Sequence, residues 1–154
     1  MPGIPGLAGL VCLLAVITWQ RNYAWRDDVS LFSALVRVDD TSAIGHYNLG
    51  AAYLHLRRCE DVIELSKQAF KNVPDYHMIY NNLGVAFHML GRYPEAIANY
   101  RLAIKLKPDY AMTRYNLGLT FLKVGDANSA MEEYKILKSL DVERADKLLN
   151  LIGR

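Results

Sequence analysis

Hydrophobic residues recur in this chain with the spacing of helix faces, and the faces themselves recur every 34 residues. Leu49, Leu83 and Leu117 each stand between an asparagine and a glycine, in Asn-Leu-Gly at 48–50, 82–84 and 116–118. Four residues after each leucine comes an aromatic ring, Tyr53, Phe87 or Phe121, one helical turn further along the same face. A second apolar series follows in each copy: Val62, Ala96 and Ala130, then Ser66, Tyr100 and Tyr134, then Ala69, Ala103 and Leu137. At this period the chain divides into 43–76, 77–110 and 111–144, each predicted to hold two helices, A and B, joined by a tight turn. A fixed period of roughly 20–50 residues marks a stacked array whose units bury their apolar faces on one another.

The punctuation agrees with the period. A mid-helix glycine costs about 1 kcal/mol relative to alanine, so Gly50, Gly84 and Gly118 in register indicate close approach of a neighbouring helix. The pattern predicts that each glycine meets a small residue of helix B, Ala96 or Ala130, with Val62 as a bulky exception that splays the first repeat. Pro94 falls at the start of a B helix, where its missing N–H is harmless, and Pro74 and Pro108 stop the helices before them. Gly91 and Gly125 supply the A–B turns, with Arg57 at the same place in the first copy. Asp27 or Asp28 is placed to cap a helix running to about Val38, a half-repeat within 21–42. Asp141 precedes a helix carrying Ala145, Leu148, Leu149 and Ile152 on one face, so 145–154 is expected to cap the array. The expected fold class is all-α: an α-solenoid of three full repeats, an N-terminal half-repeat and a C-terminal capping helix.

The bulk composition, 154 residues with 52% hydrophobic and 22% charged, is that of an ordinary folded domain. A net charge of +2, with basic and acidic side chains interspersed, gives no footprint for nucleic acid. One asymmetry changes the picture: residues 1–20 carry no charged side chain, and Ile4–Trp19 is almost wholly apolar. That run approaches the ~20 residues that span a bilayer, and Trp19, Arg21 and Tyr23 resemble an interfacial belt. The expectation is a membrane-anchor helix at 1–20, contacting lipid through residues 4–19. A buried first helix and a cleaved signal segment are the alternatives.

Candidate chemistry is sparse. His46, His55, His77 and His88 occupy different repeat positions without metal-ligand spacing, and Cys12 and Cys59 form no framework. There is no phosphate-cradling glycine loop and no nucleophile elbow. No cofactor, metal or small-molecule substrate is expected, and the protein is expected not to be an enzyme.

Residues 43–144 resemble the tetratricopeptide repeat (TPR) at nearly every signature position quoted above. The resemblance implies a right-handed superhelix whose concave wall is built by the A helices. It places Tyr47, Asn48 and His55 of the first repeat on that wall, then Met78, Asn81, Asn82 and His88, then Met112, Tyr115 and Asn116. Such a wall is apolar and amide-rich. A carboxamide both donates and accepts hydrogen bonds, so Asn48, Asn82 and Asn116 at one-repeat intervals suit an extended polypeptide backbone. A similar asparagine ladder lines the superhelix of O-GlcNAc transferase, where it holds substrate peptide. The carboxylate clamp of chaperone-binding TPRs would require basic residues at 47, 112 and 116 and asparagines at 51 and 82. The chain has Tyr47, Ala51, Asn82, Met112 and Asn116, which excludes the clamp.

A further resemblance lies at Ile17–Tyr53, where Trp-Gln-Arg-Asn, Trp-Arg-Asp-Asp and Leu-Phe lead into His-Tyr-Asn-Leu-Gly. This junction is similar to that of transmembrane-and-TPR O-mannosyltransferases and their bacterial relatives. It implies the substrate-recruiting, non-catalytic half of a multi-pass glycosyltransferase, with the TPRs on the non-cytoplasmic side. The leading expectation is a membrane-tethered TPR module binding an extended polypeptide or protein partner.

Overall fold

The computed structural model describes residues 17–19 and 27–153 of the chain. Residues 27–38 are helical (α1). Three helix pairs follow: α2 (Ala43–His55) with α3 (Cys59–Asn72), α4 (His77–Met89) with α5 (Tyr93–Leu106), and α6 (Ala111–Lys123) with α7 (Ala127–Leu140). Helix α8 (Val142–Ile152) closes the array. The A helices open at Ala43, His77 and Ala111 and the B helices at Cys59, Tyr93 and Ala127, so both series keep the 34-residue step. No strand occurs among the described residues.

Local chemistry accounts for the boundaries. The hydroxyl of Ser42 accepts the Gly45 N–H at 3.2 Å, and the carboxylates of Asp126 and Asp141 accept the N–H groups of Ser129 and Arg144, each at 3.0 Å. Gly91 and Gly125 turn between A and B helices with φ of 74° and 79°, and Arg57 adopts φ 58° at the equivalent place. Asp27 and Asp28 are themselves helical rather than in the extended backbone of a cap.

The core follows the recurring positions. Leu83, Phe87, Ala96, Tyr100, Leu117, Phe121 and Ala130 form one buried cluster across the second and third repeats. Leu137, Ala145 and Leu148 form another, by which α8 seals the end of the array. The glycines do not meet small residues as expected. A Cβ at Gly84 would lie 2.6 Å from Tyr100 Cε1, and one at Gly118 would lie 2.6 Å from Leu148 Cδ2. At Gly50 the nearest atom is Asn82 Nδ2, at 3.1 Å. The missing side chain makes room for a large one, and at Gly118 that side chain comes from the cap rather than from helix B. Val62 is 1% exposed and packs with Cys59 and Ala86, so it fills the boundary between repeats.

The expected membrane anchor is overturned. Among the described residues no helix is long and apolar enough to cross a membrane. Of the segment 4–19, residues 4–16 lie outside the described set. The membrane-anchored, non-cytoplasmic placement falls with it.

Candidate functional site

Helices α2, α4 and α6 stand side by side. Between them lies a depression of ≈ 330 Å³, lined by Tyr47, Ala51, Leu54, His55, Asn81, Asn82, Val85, Met89, Tyr110, Met112 and Asn116. Within each helix these positions are spaced by three, four or one, which gives one stripe facing the hollow. The only ionisable side chains on this lining are one histidine and two tyrosines.

Of the residues expected on the wall, Tyr47, His55, Asn81, Asn82, Met112 and Asn116 come together here. Tyr115 instead borders a neighbouring hollow of ≈ 260 Å³, with Met112, Asn116, Glu143, Arg144 and Lys147. Asn48, Met78 and His88 line neither hollow. Met78 accepts a hydrogen bond at its sulfur from the Tyr76 hydroxyl, at 3.2 Å.

His88 is held by a short chain of polar groups. The Thr120 hydroxyl donates to the Asn116 carbonyl at 2.8 Å, and its oxygen shares a hydrogen bond with His88 Nδ1, also at 2.8 Å.

The asparagines are not a free ladder. Asn82 Nδ2 donates to the Tyr47 carbonyl at 3.1 Å, and Asn116 Nδ2 donates to Asn81 Oδ1 at 3.1 Å. Asn81 Oδ1 also accepts from Thr113 Oγ1, at 3.1 Å. Each asparagine bond reaches back 35 residues and stitches one A helix to the preceding one. Asn81 and Asn82 are 6% exposed. The reason is geometric: a carboxamide between two packed repeats meets the neighbouring repeat before it meets any ligand. What remains for a ligand is the other edge of each amide. His77 Nε2 is the buried side-chain polar atom without a partner among the described residues. Asn81, Asn82 and Asn116 nonetheless all border the depression with these bonds in place.

Tyr110 joins this wall in addition to the expected residues. It precedes α6, and its signal lies in Pro-Asp-Tyr at 74–76 and 108–110, again 34 residues apart. Burial raises the pKa of the Tyr76 and Tyr110 hydroxyls, and the neighbouring Tyr47 adds to it.

Burial depresses the pKa of both His77 and His88. Lys107 adds to the effect at His77, where Asp109 opposes it, and Lys123 adds to it at His88. Below the ordinary value of 6.5 the unfolded chain takes up protons that the folded chain refuses. The stability these neutral rings contribute is therefore complete above pH 6.5 and lost as pH falls through their depressed folded values. Urea midpoints should drop between about pH 7.5 and about pH 5.5, and a His77→Phe/His88→Asn variant should flatten the drop.

Comparison with known proteins agrees with this architecture. A family model described as TPR repeat matches residues 88–125, which run from the end of α4 through α6. A thermophilic TPR protein of Thermus thermophilus superposes with a TM-score of 0.75 at 21% identity, covering 82% of this chain and 72% of its own. The chain has the fold of a TPR solenoid, and the repeat itself is matched over residues 88–125. MamA superposes on this TPR array with a TM-score of 0.67 at 24% identity, covering 79% of this chain and 71% of its own. The TPR2B domain of yeast Sti1, in its pHsp70 complex, gives 0.63 at 21% identity, covering 68% and 90%. At these identities the structural likeness speaks to the TPR fold alone. No curated protein matches the chain in sequence. The resemblance to O-mannosyltransferases is not shown by any of these comparisons and rests on the junction residues.

Proposed function

We propose that the chain is a protein-interaction module that holds an extended polypeptide segment against the face of its A helices, without catalysis of its own. The observation that carries this is the depression between α2, α4 and α6. Its wall is apolar and aromatic and is bordered by the amides of Asn81, Asn82 and Asn116. An extended backbone presents alternating N–H and C=O groups, and Asn81 Nδ2 and Asn82 Oδ1 offer one donor and one acceptor to match them. The TPR2B domain of Sti1, a solenoid of the same fold, is known in its pHsp70 complex, which supports a polypeptide as the partner class. The residues at 47, 112 and 116 are not basic, so the reading here is of a neutral segment. Recruitment of protein substrate to an attached glycosyltransferase is one use of such a groove, and it rests on the resemblance at Ile17–Tyr53.

The test is a selection of random linear peptides displayed on phage against the full chain. Met89 and Met112 are 38% and 36% exposed, so Met89→Glu/Met112→Glu alters the wall without entering the core. Selected peptides should bind this variant at least about tenfold more weakly, while Ile136→Glu, on a B helix outside the depression, leaves them unaffected. Peptides that bind the methionine variant as well as the parent would sink the groove reading. Asn82→Ala is not a clean probe, because it also removes the bond to Tyr47.

A further inference from the structure

Tyr76 and Tyr110 occupy the N-cap positions of α4 and α6, where the equivalent residue before α2 is the capping Ser42. Neither tyrosine caps its helix by a side-chain hydrogen bond. Forgoing a polar N-cap costs a helix about 1 kcal/mol, and it happens here twice, 34 residues apart, each time within Pro-Asp-Tyr. The rings gather with Tyr47 and His77 on the A-helix side. His77 stands edge-on to Tyr110 at 5.0 Å between centroids, and Tyr76 lies tilted to His77 at 5.6 Å. Tyr47 and Tyr110 both line the depression.

Two ion pairs flank this aromatic patch. Lys107 bonds Asp109 at 3.1 Å, and Arg144 bonds Asp141. Asp75, next to Tyr76 in the chain, stands outside these pairs, but no carboxylate lines the depression beside Tyr47 and Tyr110, so the wall there offers ring surface without a negative charge to hold a cation. An ordinary extended segment seated there also brings one backbone N–H per residue, against few uncommitted acceptors on the wall. Each N–H buried without an acceptor costs about 1–3 kcal/mol. Proline brings no N–H, its ring packs on aromatic surface, and its neighbours are already extended.

We propose that Tyr47 and Tyr110 form a subsite for a proline side chain of the bound segment. This rests on the groove reading above. Three capped synthetic peptides test it, identical except that one carries prolines, one alanines and one arginines at the same positions. They are titrated into the ¹⁵N-labelled full chain, and the side-chain amide resonances of Asn81, Asn82 and Asn116 are followed. The proline peptide should bind about fivefold more tightly than the alanine peptide, the scale of one good aromatic contact. Tyr110→Ala, or independently Tyr47→Ala, should abolish that difference. Alanine or arginine peptides that bind as tightly as the proline peptide would overturn the subsite and leave the groove reading intact. Amide resonances unmoved by all three peptides would overturn both.

Discussion

Replacing Tyr100 by alanine is expected to lower the unfolding free energy by about 3–5 kcal/mol, the usual effect of emptying a buried aromatic site. Tyr100 is 1% exposed and belongs to the central buried cluster. It starts from α5, its ring covers Gly84 of α4, and its hydroxyl reaches Thr120 of α6. Burial pushes the ionisation of that hydroxyl far up, with Thr120 opposing it. One side chain thus joins the second repeat to the third. Because a solenoid is stabilised only through nearest-neighbour interfaces, losing it should also broaden the urea transition followed by far-ultraviolet circular dichroism. Gly84→Ala attacks the same contact from the other side. Its Cβ would lie 2.6 Å from a ring with nowhere to move, an overpacking cost of about 1–3 kcal/mol that exceeds the helix-propensity gain. Gly50→Ala should be milder, since its closest neighbour is an amide nitrogen at 3.1 Å. Equal destabilisation by the two glycine variants would contradict this account.

The second large effect is expected at the cap. Leu148 is fully buried, and its methyl groups occupy the space left by Gly118. Leu148→Ala should lose about 2–5 kcal/mol, whereas Leu149→Ala, at a position 37% exposed, should stay within about 0.5 kcal/mol. Hydrogen exchange offers a sharper readout than a melting temperature. With Leu148 truncated, α7 and α8 should lose protection while α3 and α4 keep theirs. Uniform loss of protection across the chain would instead mean that the array unfolds as a single unit.

The architecture is legible in the sequence because a period is redundant information. Three copies of Asn-Leu-Gly and the turn residues Arg57, Gly91 and Gly125 constrain the same register, and the helices begin in that register. What a period does not contain is which neighbour fills a recurring gap. Gly84 has the pattern of a seat for a small residue, yet a tyrosine ring from the same repeat occupies it, and at Gly118 the leucine comes from outside the repeats. The asparagines mislead for a related reason. Facing the wall and bridging two repeats demand the same residue at the same place, and only the distances show that the amide nitrogens of Asn82 and Asn116 are already engaged. Tyr110 is hidden from a helix-face pattern because it sits in the non-helical position before α6. The apolar run at the start of the chain speaks through its composition alone, and residues 4–16 lie outside the described set.

The two asparagine stitches look alike but differ in what they ask of the preceding repeat. Asn82 bonds the main-chain oxygen of Tyr47, which every amino acid at 47 would present. Asn116 bonds the side-chain oxygen of Asn81, which few residues at 81 could replace. The first bond is therefore indifferent to the side chain at its acceptor, and the second is keyed to it. In a lineage that gains or loses copies, a unit placed ahead of the second repeat would keep the first bond whatever residue it brought to position 47. A unit placed ahead of the third would keep its bond only by bringing an acceptor side chain to position 81.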